Sequence, residues 1–305
     1  SYAYNTYIQS RIAMKQAKVS DIFLLLLLGA IWGSSFFNIK IATYSYEPYT
    51  LALIRVILAT VTMLAVSYIY KIKIYAFSRN WKIYALVGVC NITIPFSLIA
   101  IGTNKIDSYL AAMLMSTTPI SGSILAHFFI KDEKITFLKS IGIILGFTGI
   151  LLLFFDKLII TESNYLSVLI IILGSTFYSI SSILILKKLK KSGNINVTTS
   201  TLIWSMITLV PLSFILEEPF KSNPTLESTL SLIYLGVVAT GFAWWLRFKI
   251  LAKNGIIFQT QVTYLIPIFG VIFGALILDE QITWKVLVSL IIIISGIYIV
   301  KKYNK

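Results

Sequence analysis

Arg55 is the one basic side chain set well inside an apolar stretch, between Ala52-Leu53-Ile54 and Val56-Ile57-Leu58. A guanidinium facing hydrocarbon at such a place costs about 3 kcal/mol or more, so it must face protein or water. Two readings stay open. Either the fork of Arg55 holds a carboxylate or another anionic group in a cavity, for which its planar geometry is suited, or it bonds helix carbonyls and snorkels to the nearby interface. Other polar side chains recur inside apolar stretches: Ser34, Asn38, Asn91, Ser116, Thr117, Tyr178, Gln259, Gln261 and Tyr264. An apolar cavity with a few placed polar groups is the usual design of a solute site. Each group taken singly also serves as an interhelical hydrogen bond worth about 0.6 kcal/mol.

The candidate solute-binding set is therefore Trp32, Ser34, Asn38, Arg55, Asn91, Ser116, Tyr178, Gln261 and Tyr264. Gln261 and Tyr264 precede Pro267, which weakens the helix there. Trp32, with its neighbours Gly33-Ser34-Ser35, marks a tightly packed inner helix, whereas Trp204, Trp244 and Trp245 either stack on a solute or anchor at the membrane belt. Catalysis finds little to work with. His127 and Cys90 are the single residues of their types, and no acid lies mid-span, so nucleophile-base pairs, disulfides and metal sites have no candidates. No catalytic residue, metal or cofactor is expected.

These residues need a scaffold, and composition says what its solvent is. At 305 residues, 57% hydrophobic and 12% charged, the chain carries more apolar surface than a water-facing globule could bury. Apolar stretches near the length that crosses about 30 Å of hydrocarbon fall at roughly 21–39, 50–70, 83–101, 108–130, 138–155, 165–186, 198–216, 229–248, 256–278 and 285–300. The expected fold is all-α integral membrane. Arg11, Lys15 and Lys18 before the first stretch mimic a signal peptide, but no A-x-A-like site comes after it and nine similar stretches do.

A net charge of +14 would point to nucleic acid in a soluble protein. Assigned to alternating connections, however, twenty of the 26 Lys and Arg residues, Arg247 among them, fall on the face shared by the N-terminus, five on the other, and Arg55 within a span. That is the positive-inside pattern, with both termini cytoplasmic and no nucleic-acid partner expected.

The halves resemble each other. Asp132-Glu133-Lys134-Ile135-Thr136 matches Asp279-Glu280-Gln281-Ile282-Thr283 at four of five positions, 147 residues apart; Pro119 matches Pro267 and Gly88 matches Gly236 at 148. Five spans per half put the second copy into the membrane from the opposite side, an inverted-topology repeat of the kind recurrent in secondary transporters. The expected domains are a cytoplasmic segment 1–20, a first repeat 21–155 and a second repeat 156–305.

Ala30-Ile31-Trp32-Gly33-Ser34-Ser35-Phe36 with Lys40, Glu47-Pro48 leading to Arg55, Ser116-Thr117-Thr118-Pro119 with Asp132-Glu133, and Tyr264-Leu265-Ile266-Pro267 with Asp279-Glu280 carry a further likeness. Over roughly 20–301 the chain resembles the EamA-type members of the drug/metabolite transporter superfamily. The resemblance implies ten transmembrane helices as two five-helix inverted repeats around a central cavity, and metabolite or amino-acid export across a bacterial inner membrane. It also implies a cavity lined by spans 1–4 and 6–9, with spans 5 and 10 peripheral, facing lipid or forming a homodimer.

Gating candidates are three prolines and a pair of acids. Pro95, Pro119 and Pro267 either supply pliable points or set fixed kinks, and Glu133 and Glu280, equivalent in the repeat, either latch gates or cap helices. Gly29-x-x-x-Gly33, Gly142-x-x-x-Gly146 and Gly270-x-x-x-Gly274 permit close helix approach. His127 reads as a packed or interfacial residue, with a proton sensor as the second reading. The function expected is alternating-access transport of a small organic solute, an amino acid or a similar zwitterionic or amphipathic molecule. A channel, which would show a charged ring or filter loop, and a non-transporting receptor or scaffold are the other classes.

Overall fold

The computed structural model describes residues 18–130, 135–154, 162–219 and 223–302. Every regular element among the described residues is helical. Among the described residues eight helices are long and apolar enough to cross a membrane, and two more are shorter and apolar. In chain order they are α1 (Val19–Ala42), α2 (Pro48–Ile69), α3 (Trp81–Lys105), α4 (Ser108–Phe129), α5 (Phe137–Phe154), α6 (Glu162–Lys188), α7 (Asn194–Leu216), α8 (Leu226–Gly255), α9 (Val262–Ile277) and α10 (Trp284–Lys302). The chain is an integral membrane protein, since so many apolar helices have no aqueous solution.

Local chemistry sets the helix ends. Pro48 opens α2, where its missing N–H costs nothing, and the carboxylate of Glu217 beyond α7 accepts from Tyr49 N and Thr50 N at 2.8 and 2.7 Å. The start of α4 is treated alike: Glu280 beyond α9 accepts from Ser108 N at 2.5 Å and Tyr109 N at 3.1 Å. An acid satisfying the orphan N–H groups of a helix start also meets the positive end of its dipole. Asp21 in the first turn of α1 pairs with Lys253 near the end of α8.

Two helices widen into π turns, α3 at Val89–Thr93 and α8 at Tyr234–Phe242. In α3 the turn directly precedes Pro95, which cannot donate to the carbonyl of Asn91. Helix α4 tightens instead: Ser116 N bonds Met113 O and Thr118 N bonds Met115 O, a narrow turn just before Pro119. Helix α8 runs about two turns beyond its expected end near 248, because no breaker intervenes until Gly255, whose φ of +82° suits glycine. The ninth helix therefore starts at Val262 rather than at 256.

Helix α1 packs on α8 and α9, and α6 packs on α3 and α4; α2 meets α7 and α8, and α7 meets α2 and α3. Helices α5 and α10 pack chiefly on each other. A Cβ on Gly296 would stand 2.6 Å from Gly146 N and 2.7 Å from Gly142 O, so the absence of side chains lets these two backbones touch. Gly33 on α1 approaches Phe269 and Gly270 on α9 in the same manner.

Candidate functional site

A cavity of about 260 Å³ lies where both halves of the chain meet, walled by α1, α2, α3, α4, α6, α8 and α9. Among the described residues, helices α5, α7 and α10 add none to its wall. The π turn of α3 brings Asn91 to the wall, where its Oδ1 accepts from Ser181 Oγ at 2.8 Å. Phe96, just after Pro95, offers its ring to Arg55, whose Cζ stands 4.0 Å from the ring centroid. Arg55 itself is buried, 8% exposed, and its Nε donates to Thr240 Oγ1 at 2.9 Å. Thr240 in turn donates to Leu235 O, a bond that spans the π turn of α8. Trp32 Nε1 donates to Ala239 O in that same turn at 3.2 Å, fixing the indole on the wall.

The narrowed turn of α4 exposes Ser116, Thr118 and Pro119 to the cavity. Neither Ser116 Oγ nor Thr118 Oγ1 has a protein partner, although both atoms are buried. Tyr178 closes the wall from α6, and Pro267 from α9. Of the expected solute-binding residues, the structure thus brings together Trp32, Arg55, Asn91, Ser116 and Tyr178.

The others lie off the wall. Ser34 bonds Tyr234 OH at 2.7 Å, and Asn38 Nδ2 turns back on Ser34 O at 2.9 Å. Gln261 precedes the first turn of α9. Tyr264 turns toward α10, with Lys301 Nζ 4.5 Å above its ring. Pro95 is buried in α3, while Glu280 caps the start of α4. Glu133 lies outside the described residues. His127 Nδ1 accepts from Ile135 N at 3.1 Å, which ties the end of α4 to the approach to α5.

Arg247 is the main correction. Counted with the cytoplasmic face although the eighth apolar stretch runs to 248, it sits within α8 and on the cavity wall, its Cζ 5.6 Å from the ring centroid of Trp244. The signal was present: no glycine or proline comes after Trp244 until Gly255, so nothing in the sequence ends the helix before Arg247. Thr240 and Phe96 were likewise not singled out for the site, and the sequence leaves Trp244 open between stacking on a solute and anchoring at the belt. Among the described residues no three His, Cys, Asp or Glu side chains gather to hold a metal ion.

The model of the EamA-like transporter family matches residues 19–155 and again 165–301, nearly the whole chain in two copies. The chain belongs to this family. The uncharacterized transporter YoaV of Bacillus subtilis (strain 168) is 23% identical over 269 residues, 88% of this chain and 92% of its own. The uncharacterized transporter YdfC of the same organism is 27% identical over 282 residues, covering 92% and 90%. Protein PagO of Salmonella typhimurium is 25% identical over 291 residues, covering 92% and 93%. A solved crystal structure aligns over 94% of this chain and 98% of its own with a TM-score of 0.68 at 12% identity, a likeness of fold alone. Membership in this family and relatives named transporters make membrane transport, rather than catalysis, the activity class of the chain.

Proposed function

We propose that the protein is a secondary transporter that moves a small organic solute bearing a carboxylate or similar anionic group, an amino acid or an amphipathic relative, by alternating access. It acts as an exporter or exchanger in the inner membrane of a bacterium, with both termini cytoplasmic. Arg55 carries the reading: a buried guanidinium on a cavity wall, held through Nε with its other N–H groups free of protein acceptors among the described residues, is placed to fork an anion.

Alternating access draws on an inverted repeat of five helices per half. Exchanging α1–α5 with α6–α10 carries the packing pattern onto itself, since the pair α1 with α9 corresponds to α6 with α4, and α2 with α8 to α7 with α3. The two π turns are also equivalent: shifted by the 148 residues that relate Gly88 to Gly236, Val89–Thr93 falls within Tyr234–Phe242. Two like halves around one cavity can exchange roles and open it to each side in turn.

The test is counterflow in proteoliposomes, run with panels of amino acids, carboxylates and cationic solutes. Saturable exchange that Arg55→Ala abolishes is expected. A linear, non-saturating flux would favour a channel, and the absence of flux for every panel would favour a receptor.

A further inference from the structure

Among the described residues Arg55 and Arg247 are the two charged side chains on the cavity wall, and no carboxylate lines it with them. Both are mounted alike, Arg55 over Phe96 and Arg247 over Trp244, with Cζ 4.0 and 5.6 Å from the ring centroids. A ring face attracts a guanidinium through its quadrupole but takes none of its in-plane N–H groups, so the donor edges stay available. Among the described residues Arg247 has no hydrogen bond or ion pair, and Arg55 spends Nε alone, on Thr240. Thr240, which holds Arg55, and Arg247 both lie on α8, seven residues apart, so one helix carries both anchor points. A third observation points to a ligand: Ser116 and Thr118 belong to the same wall, and the buried Ser116 Oγ and Thr118 Oγ1 have no protein partner.

Two partly desolvated cations facing one small cavity repel each other, and a ligand with a single negative group leaves one of them uncompensated. A zwitterion does worse, since its ammonium finds no carboxylate to receive it. We infer that the solute is a small organic dianion, with one anionic group on Arg55, the other on Arg247, and the hydroxyls of Ser116 and Thr118 donating between them. This rests on the transport reading of the same cavity and, among the anion-bearing solutes proposed there, selects dianions over amino acids. Dicarboxylates and phosphomonoesters share the chemistry.

The experiment measures ligand-induced thermal stabilisation of the purified full-length protein in detergent. The probes are linear dicarboxylates of four to eight carbons, the matching monocarboxylates, glycerol 3-phosphate and leucine. A dicarboxylate should bind at least tenfold more tightly than its matching monocarboxylate, with an optimum chain length, and Arg247→Gln should reduce that preference to less than threefold while Arg247→Lys keeps most of it. Equal binding of monocarboxylates or leucine, or an undiminished preference in folded Arg247→Gln, overturns the inference. Strong binding of glycerol 3-phosphate with no length optimum overturns the two-ended placement. Should Arg247→Gln fail to fold, the wild-type ligand series decides. Counterflow of the same solutes separates the two readings: dianion binding without counterflow sinks transport and leaves this inference standing, whereas leucine counterflow without dianion preference does the reverse.

Discussion

Arg55 on α2 donates a 2.9 Å hydrogen bond through Nε to Thr240 on α8, and this bond orients the guanidinium in the cavity. Replacing Thr240 by Val keeps the shape but removes the acceptor, leaving a buried charged donor unsatisfied at a cost of about 1–3 kcal/mol. Thr240→Val should lower thermal stability and weaken solute binding several-fold, whereas Thr240→Ser should restore both. Denaturation midpoints and counterflow affinity read out the two effects. Unchanged affinity in Thr240→Val would mean that the bond does not position Arg55.

Arg55→Ala should reduce transport at least a hundredfold at matched expression, with Arg55→Lys recovering a minor part, because an ammonium supplies charge without the planar fork. The readout is uptake and efflux by vesicles holding equal amounts of folded protein. Near-normal transport by both variants would assign Arg55 to structure.

Glu280 and Glu217 close the starts of α4 and α2 through paired backbone contacts. Glu280→Gln keeps an acceptor but gives up the charge facing the helix dipole, and a loss of about 0.5–2 kcal/mol is expected. Glu217→Gln should behave alike. Thermal unfolding of the two variants checks the parallel; a stable Glu280→Gln would show that the cap is not needed.

The contact of α5 with α10 lies away from the cavity, so its disruption should separate stability from function. Gly296→Val drives a side chain into the backbone of Gly146, and overpacking of this kind costs about 1–3 kcal/mol. Folded yield and melting temperature should fall while the KM of the surviving protein stays within about twofold of wild type. A large KM change would connect these helices to the site.

Among the described residues no acid lines the cavity. Proton-driven carriers commonly keep a titratable group in the membrane interior to bind a proton on one side and release it on the other. Exchange or facilitated diffusion is therefore expected, and a pH gradient without membrane potential should not drive uphill accumulation of a solute whose own protonation is constant. If it does, Glu133, Glu280 and His127 are the first residues to replace.

The places of the helices were readable because lipid-facing length and charge placement are strong signals. Much of the wall was readable too, since Arg55, Asn91 and Tyr178 are conspicuous in apolar surroundings. Rotation about each helix axis was not. A helix apolar on every side lacks the contrast between faces that would point Ser34 and Asn38 away from the cavity, and their orientation is set by packing against α8 and the backbone of α1. Arg247 was hidden for a second reason. The π turn before it takes more residues per turn, so counting at 3.6 residues per turn through Tyr234–Phe242 misplaces every side chain beyond it.

Of the six tryptophans, Trp32 and Trp244 face the cavity, while Trp81 stacks on Trp204 at 5.0 Å, and Trp245 and Trp284 are not on its wall. The indole of Trp32 is pinned by its bond to Ala239, and that of Trp244 lies beside Arg247. The molecule thus carries its own optical reporters. With the other four replaced by Phe, the colour and yield of the remaining emission would track water leaving the cavity as a solute enters, in real time and with no dye attached.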